Sequence, residues 1–360
     1  DQVWLSSEIH RIEKTQHELR FIDSGQRLGQ FSSMDVELVD VDNDHDLDAV
    51  VANGGPQTPN NIWLNDGTGI FKTSRFPLGN ESCMDLGMGD LDGDGDVDAF
   101  VACIDSPSQI WLNDGMGKFT QTEQSIGEIG HHVVELGDFD LDGDLDAWCG
   151  NRDEYSHYIW FNNGDGSFSK GEQLISLEKV WALHAMDADG DGDLDMLVGT
   201  DASHPNSIWL NNGKGTFRIS ESKFSGITVS NGFATGDLNG DSFPDIYECG
   251  DSASDRIWFG IGDGKFKRSS QEFPSMSSRG AQIADLDNDG DLDVFVPQES
   301  SNPNMILTND GTGKFTEAPF FMGDNYSSNV ALGDLDQDGD LDAFVVNNHR
   351  EPNRVWRNEK

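Results

Sequence analysis

The stretch GDLDGDGDVDAFVA, Gly89 to Ala102, puts aspartates at 90, 92, 94, 96 and 98 and then runs straight into an apolar strand. Unneutralised carboxylates that close repel one another, so the run is either a solvated acidic tail or a cage for a cation. Periodicity decides between the two. The pattern recurs as DVDNDHDLD from Asp40, DFDLDGDLD from Asp138, DADGDGDLD from Asp187, DLNGDSFPD from Asp237, DLDNDGDLD from Asp285 and DLDQDGDLD from Asp334, at steps of 50, 48, 49, 50, 48 and 49 residues. A fixed period of this size marks a repeat architecture in which each unit stacks on its neighbours.

Each unit reads as four strands. A short strand precedes the loop, and an apolar one such as AFVV (Ala343 to Val346) follows it, continuous enough to be buried on both faces. A third strand such as NIWLNDGTGIF from Asn61 then turns through Asn, Asp and Gly into a fourth that starts at the Phe. Four antiparallel strands per 49 residues make one propeller blade. The expected fold is therefore all-β: a seven-bladed β-propeller over residues 1–360, with repeats starting near 31, 80, 129, 178, 227, 276 and 325.

The chain ends supply the closure. Phe21 lies 19 residues before Asp40, the interval of Phe71 to Asp90, so it marks a fourth strand. The last repeat stops at its third strand, at Val355 and Trp356, and the strand near Leu19 to Ile22 is expected to complete that blade and remove the open edge. A segment VWL at Val3 to Leu5 reads as an extra outer strand on the closing blade. The Trp recurring in the third strands, Trp63, Trp111, Trp160, Trp209, Trp258 and Trp356, is assigned to packing between blades.

Composition limits the partners. The net charge of −43 comes from 66 acids against 23 bases, and half of the acids lie in the seven loops. Such a surface argues against nucleic acid. No run of 18 apolar residues exists, which argues against membrane insertion by a helix. The chain starts at Asp1 without a methionine, as expected of a processed or trimmed secreted protein, and a monomer at the cell surface or in an extracellular or periplasmic space is expected. Of four cysteines, Cys83 and Cys103 flank one loop and would face each other across its hairpin, so a disulfide is expected there.

Hard oxygen donors at alternate positions suit Ca²⁺ better than Mg²⁺, which prefers a small rigid octahedron. Up to seven ions are expected, one per blade. The candidate ligands are Asp40, Asp42, Asp44, Asp46 and Asp48; Asp90, Asp92, Asp94, Asp96 and Asp98; Asp138, Asp140, Asp142, Asp144 and Asp146; Asp187, Asp189, Asp191, Asp193 and Asp195; Asp237, Asn239, Asp241, Phe243 and Asp245; Asp285, Asp287, Asp289, Asp291 and Asp293; and Asp334, Asp336, Asp338, Asp340 and Asp342. Phe243, at position 7 of its loop, can supply only a carbonyl, so side-chain oxygens are expected at positions 1, 3, 5 and 9 and a backbone oxygen at 7. The loop, the apolar strand, IWLNDG and GxF together resemble the FG-GAP or VCBS repeats of integrin α-subunit propellers, bacterial surface and secreted proteins, and a fungal sugar-binding lectin. The resemblance covers essentially the whole chain and implies a calcium-binding extracellular platform for binding or adhesion.

Residues that differ between blades are the candidates for ligand contact. Six before each loop stand Met34, Met84, His132, Trp181, Asn231, Arg279 and Ser328; five after stand Asn53, Cys103, Asn151, Thr200, Gly250, Gln298 and Asn347. Both sets are expected around the channel mouth opposite the calcium loops, beside Tyr155 and His157. From these, His132, Trp181, Arg279, Asn151, Tyr155, His157 and Asn347 are the candidate binding residues for a carbohydrate or cell-surface ligand. The rivals are a polysaccharide lyase with His132 or His157 as base, Tyr155 assisting and Arg279 neutralising a uronate, and a protein-interaction platform. No Ser/His/Asp elbow, HExxH or phosphate-cradling loop occurs.

Overall fold

A computed structural model describes residues 19–359 apart from 129, 153–155, 177–178, 202–203, 223–228, 252, 301, 321 and 324. Seven antiparallel sheets of four strands form the blades, six with their strands in sequential order and the seventh completed by the first strand of the described chain, and one of them carries the additional short strand Ile175–Ser176. In blade 1 the strands are Ser32–Val39, Asp48–Gly54, Asn61–Leu64 and Lys72–Thr73. The first strand of every blade packs on the first strands of both neighbours, including blade 7 on blade 1, so the ring is closed.

Closure takes the expected form. Phe21–Asp23 is the outer strand of blade 7 and pairs with its third strand in the register Phe21 opposite Asn358. Val3 to Leu5 lies outside the described residues. Cys83 and Cys103 are directly opposed in the first hairpin of blade 2 and form a disulfide.

The second strands explain why the interior is built blade against blade. Their alternate side chains face opposite neighbours: Ala49 and Val51 pack toward blade 7, Val50 and Ala52 toward blade 2. Each of the seven seams therefore has its own apolar cluster, and there is no single central core. Trp258 and Trp356 are buried in such seams, and Trp63, Trp111, Trp160 and Trp209 pack against their edges.

The first strands carry a repeated irregularity. A β-bulge falls between Ser33 and Asp35, Cys83 and Asp85, Val180 and Ala182, Ser230 and Gly232, and Ser327 and Asn329. The bulged residues are thus Met34, Met84, Trp181, Asn231 and Ser328. A bulge leaves its extra residue unpaired and re-aims its side chain. Here it turns those residues to the channel mouth.

Because Phe21 is buried against Phe295 and Phe320 of blade 6 at the seam with blade 7, Phe21→Ala removes a core aromatic from the strand that completes the last blade. The expected loss is about 3 kcal/mol, read from chemical denaturation in saturating calcium.

Candidate functional site

The acidic loops fold as nests around their own carboxylates. Position 1 takes backbone N–H groups from positions 4 to 6: Asp90 accepts Gly93 at 2.8 Å and Gly95 at 3.0 Å. Position 4 has a left-handed backbone in every loop, at Asn43, Gly93, Leu141, Gly190, Gly240, Asn288 and Gln337. The turn therefore needs positive φ but not glycine.

Position 9 is the structural pin. One Asp98 oxygen accepts the N–H of Leu91 (3.0 Å) and the other that of Asn113 (2.8 Å), and the same pair of bonds is made by Asp48, Asp146, Asp195, Asp245, Asp293 and Asp342. These carboxyls are buried, and burial pushes Asp48, Asp146, Asp195, Asp293 and Asp342 up to about 7 and Asp98 and Asp245 to about 6. Buried charge at such a density calls for a cation.

The donor set fits one. Oxygens of Asp40, Asp42 and Asp48 lie within 4.8 Å of one another, as do those of Asp90, Asp92 and Asp94, of Asp138, Asp140 and Asp146, of Asp187, Asp189 and Asp195, and of Asp285, Asp287 and Asp289. The Oδ1 atoms at position 3 of four loops, Asp42, Asp140, Asp189 and Asp336, are buried without a hydrogen-bond partner in the protein. An all-oxygen site with unsatisfied carboxylate oxygens suits a hard divalent cation.

Position 7 side chains are used elsewhere. Asp96 accepts Asn43 Nδ2 of the neighbouring loop (2.9 Å), Asp340 accepts Asn288 Nδ2 (3.0 Å), and Asp46 accepts Gln337 Nε2. Asp46, Asp96, Asp144 and Asp291 also fill the space where a Cβ on turn glycines Gly67, Gly115, Gly164 and Gly311 would stand. These loops thus leave a backbone oxygen as what position 7 can offer a cation, whereas in blade 4 the Oδ1 of Asp193 is buried without a hydrogen-bond partner in the protein; Phe243 takes this place beneath Gly262 in blade 5.

Sequence reasoning missed two inter-blade staples. The third-strand Asn, read as a turn residue, reaches the preceding blade: Asn113 Nδ2 donates to Val41 O, Asn162 to Leu91 O, Asn211 to Phe139 O, Asn309 to Leu238 O, Asn358 to Leu286 O and Asn65 to Leu335 O, at 2.8–2.9 Å. Five residues after the fourth-strand Phe, a Gln bonds the backbone at the next blade's Phe: Gln26 donates to Gly69 O and accepts Phe71 N–H, while Gln124, Gln173 and Gln271 bond both backbone groups of Phe168, Phe217 and Phe315. Asn at a fixed place in the third strand was the available signal.

At the opposite end a cavity of about 380 Å³ occupies the channel. All seven residues six positions before the loops line it: Met34, Met84, His132, Trp181, Asn231, Arg279 and Ser328. Arg152, which the sequence reading did not single out, stands 4.0 Å over the Trp181 ring. Arg279 is held by Glu299 (Nε to Oε2 3.1 Å), which also accepts Asn348 Nδ2.

The second predicted set is elsewhere, and this is a correction. Asn151, Asn347 and His157 are buried and do not line the channel cavity. They belong to a corner in which a residue at the end of the second strand is capped from seven or fewer residues downstream: Asn53 N–H donates to Asn60, Asn151 to His157, Thr200 to Asn206, Gly250 to Asp255, Gln298 to Asn304 and Asn347 to Asn353. The position varies because several acceptors serve one N–H, and Cys103 is spent on the disulfide. Tyr155 lies outside the described residues.

Below the mouth the lumen is acidic. Asp35 accepts Leu86 N–H (3.1 Å), Asp85 accepts Val134 N–H (2.9 Å) and Glu135 accepts Ala185 N–H (3.0 Å), so each carboxylate ties one first strand to the next. Glu37 is exposed to the solvent of the channel, and desolvation by the surrounding ring, then Asp35 and Glu135, raises it to about 8; burial raises Glu135 to about 7, and Asp35 and Asp85 are both raised by burial. His184 is held neutral, near 4, by burial.

The FG-GAP-like repeat family model matches residues 40–101, 90–149, 138–198, 187–248, 249–296 and 285–345, and the chain belongs to this family. No curated protein matches it. Among solved structures, BBS1N in complex with ARL6DN is similar in fold: the mercury-soaked crystal gives a TM-score of 0.67 at 10% identity over 94% of this chain and 97% of that one, and the lead-soaked crystal 0.66 at 8% over the same shares.

The channel carboxyls set a pH dependence. Their folded pKa values lie above the unfolded value near 4.3, so the stabilisation is whole below about pH 4 and is lost as pH rises through about 7 to 8. In saturating calcium, Tm is expected to fall between pH 6 and 8.5, and Glu37→Gln with Glu135→Gln to flatten that slope.

Proposed function

We propose that the protein is a secreted or cell-surface binding module, a calcium-stabilised propeller that presents the mouth of its central channel to a carbohydrate. The observation that carries this reading is the mouth itself. A regular scaffold turns non-repeating side chains into one cavity, with the Trp181 ring beside His132, Asn231, Arg152 and Arg279. An aromatic face beside amide and guanidinium donors is suited to stacking a sugar ring and bonding its hydroxyls.

Two features support the calcium and the location. The orphaned position 3 oxygens want a cation, and loops of this kind in extracellular modules bind calcium with constants of roughly 0.1 to 1 mM. The Cys83–Cys103 bridge suits an oxidising compartment. Catalysis by a lyase has less support: of its two candidate bases, His157 caps a buried corner, and only His132 reaches the cavity. A protein ligand is the second reading, because the similar fold of BBS1N is seen in complex with ARL6DN.

Chelation tests the metal. At calcium 100 times the dissociation constant each filled site contributes about 2.7 kcal/mol, so EDTA is expected to lower Tm by many degrees and calcium, not magnesium, to restore it. An unchanged melt after exhaustive chelation at elevated temperature would remove the calcium assignment. For the ligand, the calcium-loaded protein is screened for retention on neutral and uronate polysaccharides while absorbance of unsaturated product is followed. Retention on a neutral polysaccharide without absorbance, lost at least tenfold in Trp181→Ala, is the expected result. Absorbance would make the protein a lyase, and neither signal would leave the protein-ligand reading.

A further inference from the structure

The seam between blades 4 and 5 departs from the others in both of its staples. Gly260 stands where the third-strand Asn of the other blades reaches the preceding loop. Ser222 stands five residues after Phe217, where Gln173 and Gln271 span the seams on either side. In blades 1 and 6 the same place holds Phe76 and Phe320, of which Phe320 packs on Phe21 of the next blade. Serine is too short to reach across or to fill the gap.

At this seam lies a groove of about 380 Å³, larger than the 270 Å³ hollow beside Gln173 at the fully stapled seam of blades 3 and 4; it is lined by Arg218, Ser220, Glu221 and Ser222 of blade 4 and Asp263 and Lys265 of blade 5, with Asp189 and Asp191 of the acidic loop at its inner wall. Phe266 reports the opening: Phe21, Phe71, Phe119, Phe168, Phe217 and Phe315 are buried at their seams, and Phe266 is only half-buried. The loop at the wall also holds unsatisfied donors. Asp189 Oδ1 and Asp193 Oδ1 are buried without a hydrogen-bond partner in the protein, and Asp193 is 7% exposed.

Charge then specifies the ligand. Four carboxylates face two cations in the groove, and an anion would be repelled. A divalent cation in the loop offsets the charge of Asp189 and Asp191 and leaves Arg218 as the anion donor on the outer wall, with Lys265, paired with Asp263 at 3.4 Å, beside it and two serine hydroxyls between. We propose that this groove is a second binding site, distinct from the channel mouth, that takes an acidic sugar residue of the uronate type only when the loop of blade 4 holds calcium. The inference rests on the calcium reading but not on the channel mouth.

The probe is a short oligomer of galacturonic acid, with the galactose oligomer of equal length as control, measured by calorimetry on the calcium-loaded protein. Binding of the uronate but not of the neutral oligomer is expected. Arg218→Ala should weaken it about tenfold, as for loss of one charge-assisted bond. Ser222→Gln should abolish it while Tm holds or rises, because glutamine restores the staple and fills the groove. Trp181→Ala should leave it unchanged. Uronate affinity that survives Ser222→Gln, that is lost in Trp181→Ala instead, or that is absent altogether overturns the groove. Calcium-dependent melting, measured in the same samples, shows separately whether the metal reading stands.

Discussion

The position 9 aspartate is the group on which the rest of the structure depends. Its two oxygens hold the start of the acidic loop and the third strand at once, in every blade. A carboxylate that accepts two backbone N–H bonds from different segments fixes their separation. The third strand so placed carries the Asn that reaches the preceding blade. One buried charge thus sets the loop, the blade and the seam.

That economy has an electrostatic cost. Seven buried carboxylates at one end of the ring, and four acids in the lumen, are desolvated without basic partners of equal number. At the loop end a cation can offset the cost, since other carboxylate oxygens converge there. In the lumen the N–H bonds between first strands and proton uptake by the raised carboxyls have to suffice. The two acidic layers therefore respond to different variables: the loops to divalent cation, the channel to pH.

The architecture was legible because it repeats. A step of 48 to 50 residues, the Phe21 interval and the truncated last repeat carry the blades and their closure, and hairpin register carries the Cys83–Cys103 pairing. The mouth was legible only in part. Variation between blades picks out residues freed from scaffold duty, which held for the bulged Met34, Met84 and Trp181, but it also picks out positions where unlike residues do the same scaffold job. Asn60, Asp255 and His157 each cap one N–H, and the residues they cap looked free only because an N–H has no side-chain signature. A bulge and a stack such as Arg152 on Trp181 arise from strand geometry and from chain segments brought together by the ring, so neither has a local pattern.

Once the scaffold rules are known, exceptions to them become the informative residues. Gly260 and Ser222 both remove contacts from one seam, yet the blades do not separate. Glu248 explains how: buried in blade 5, it accepts Asn206 Nδ2 of blade 4 (2.9 Å) and bonds Ser230, Arg256 and Trp258 of its own blade. A fully bonded buried carboxylate with a cationic partner can hold a seam that has lost its neutral amides. The fastening of blades 4 and 5 is thereby shifted toward the channel-mouth end, and the loop end is left open. A groove produced by decay would not be expected to come with a compensating bond network at the other end of the same seam; the pairing of the two argues that the opening is a built feature of the ring.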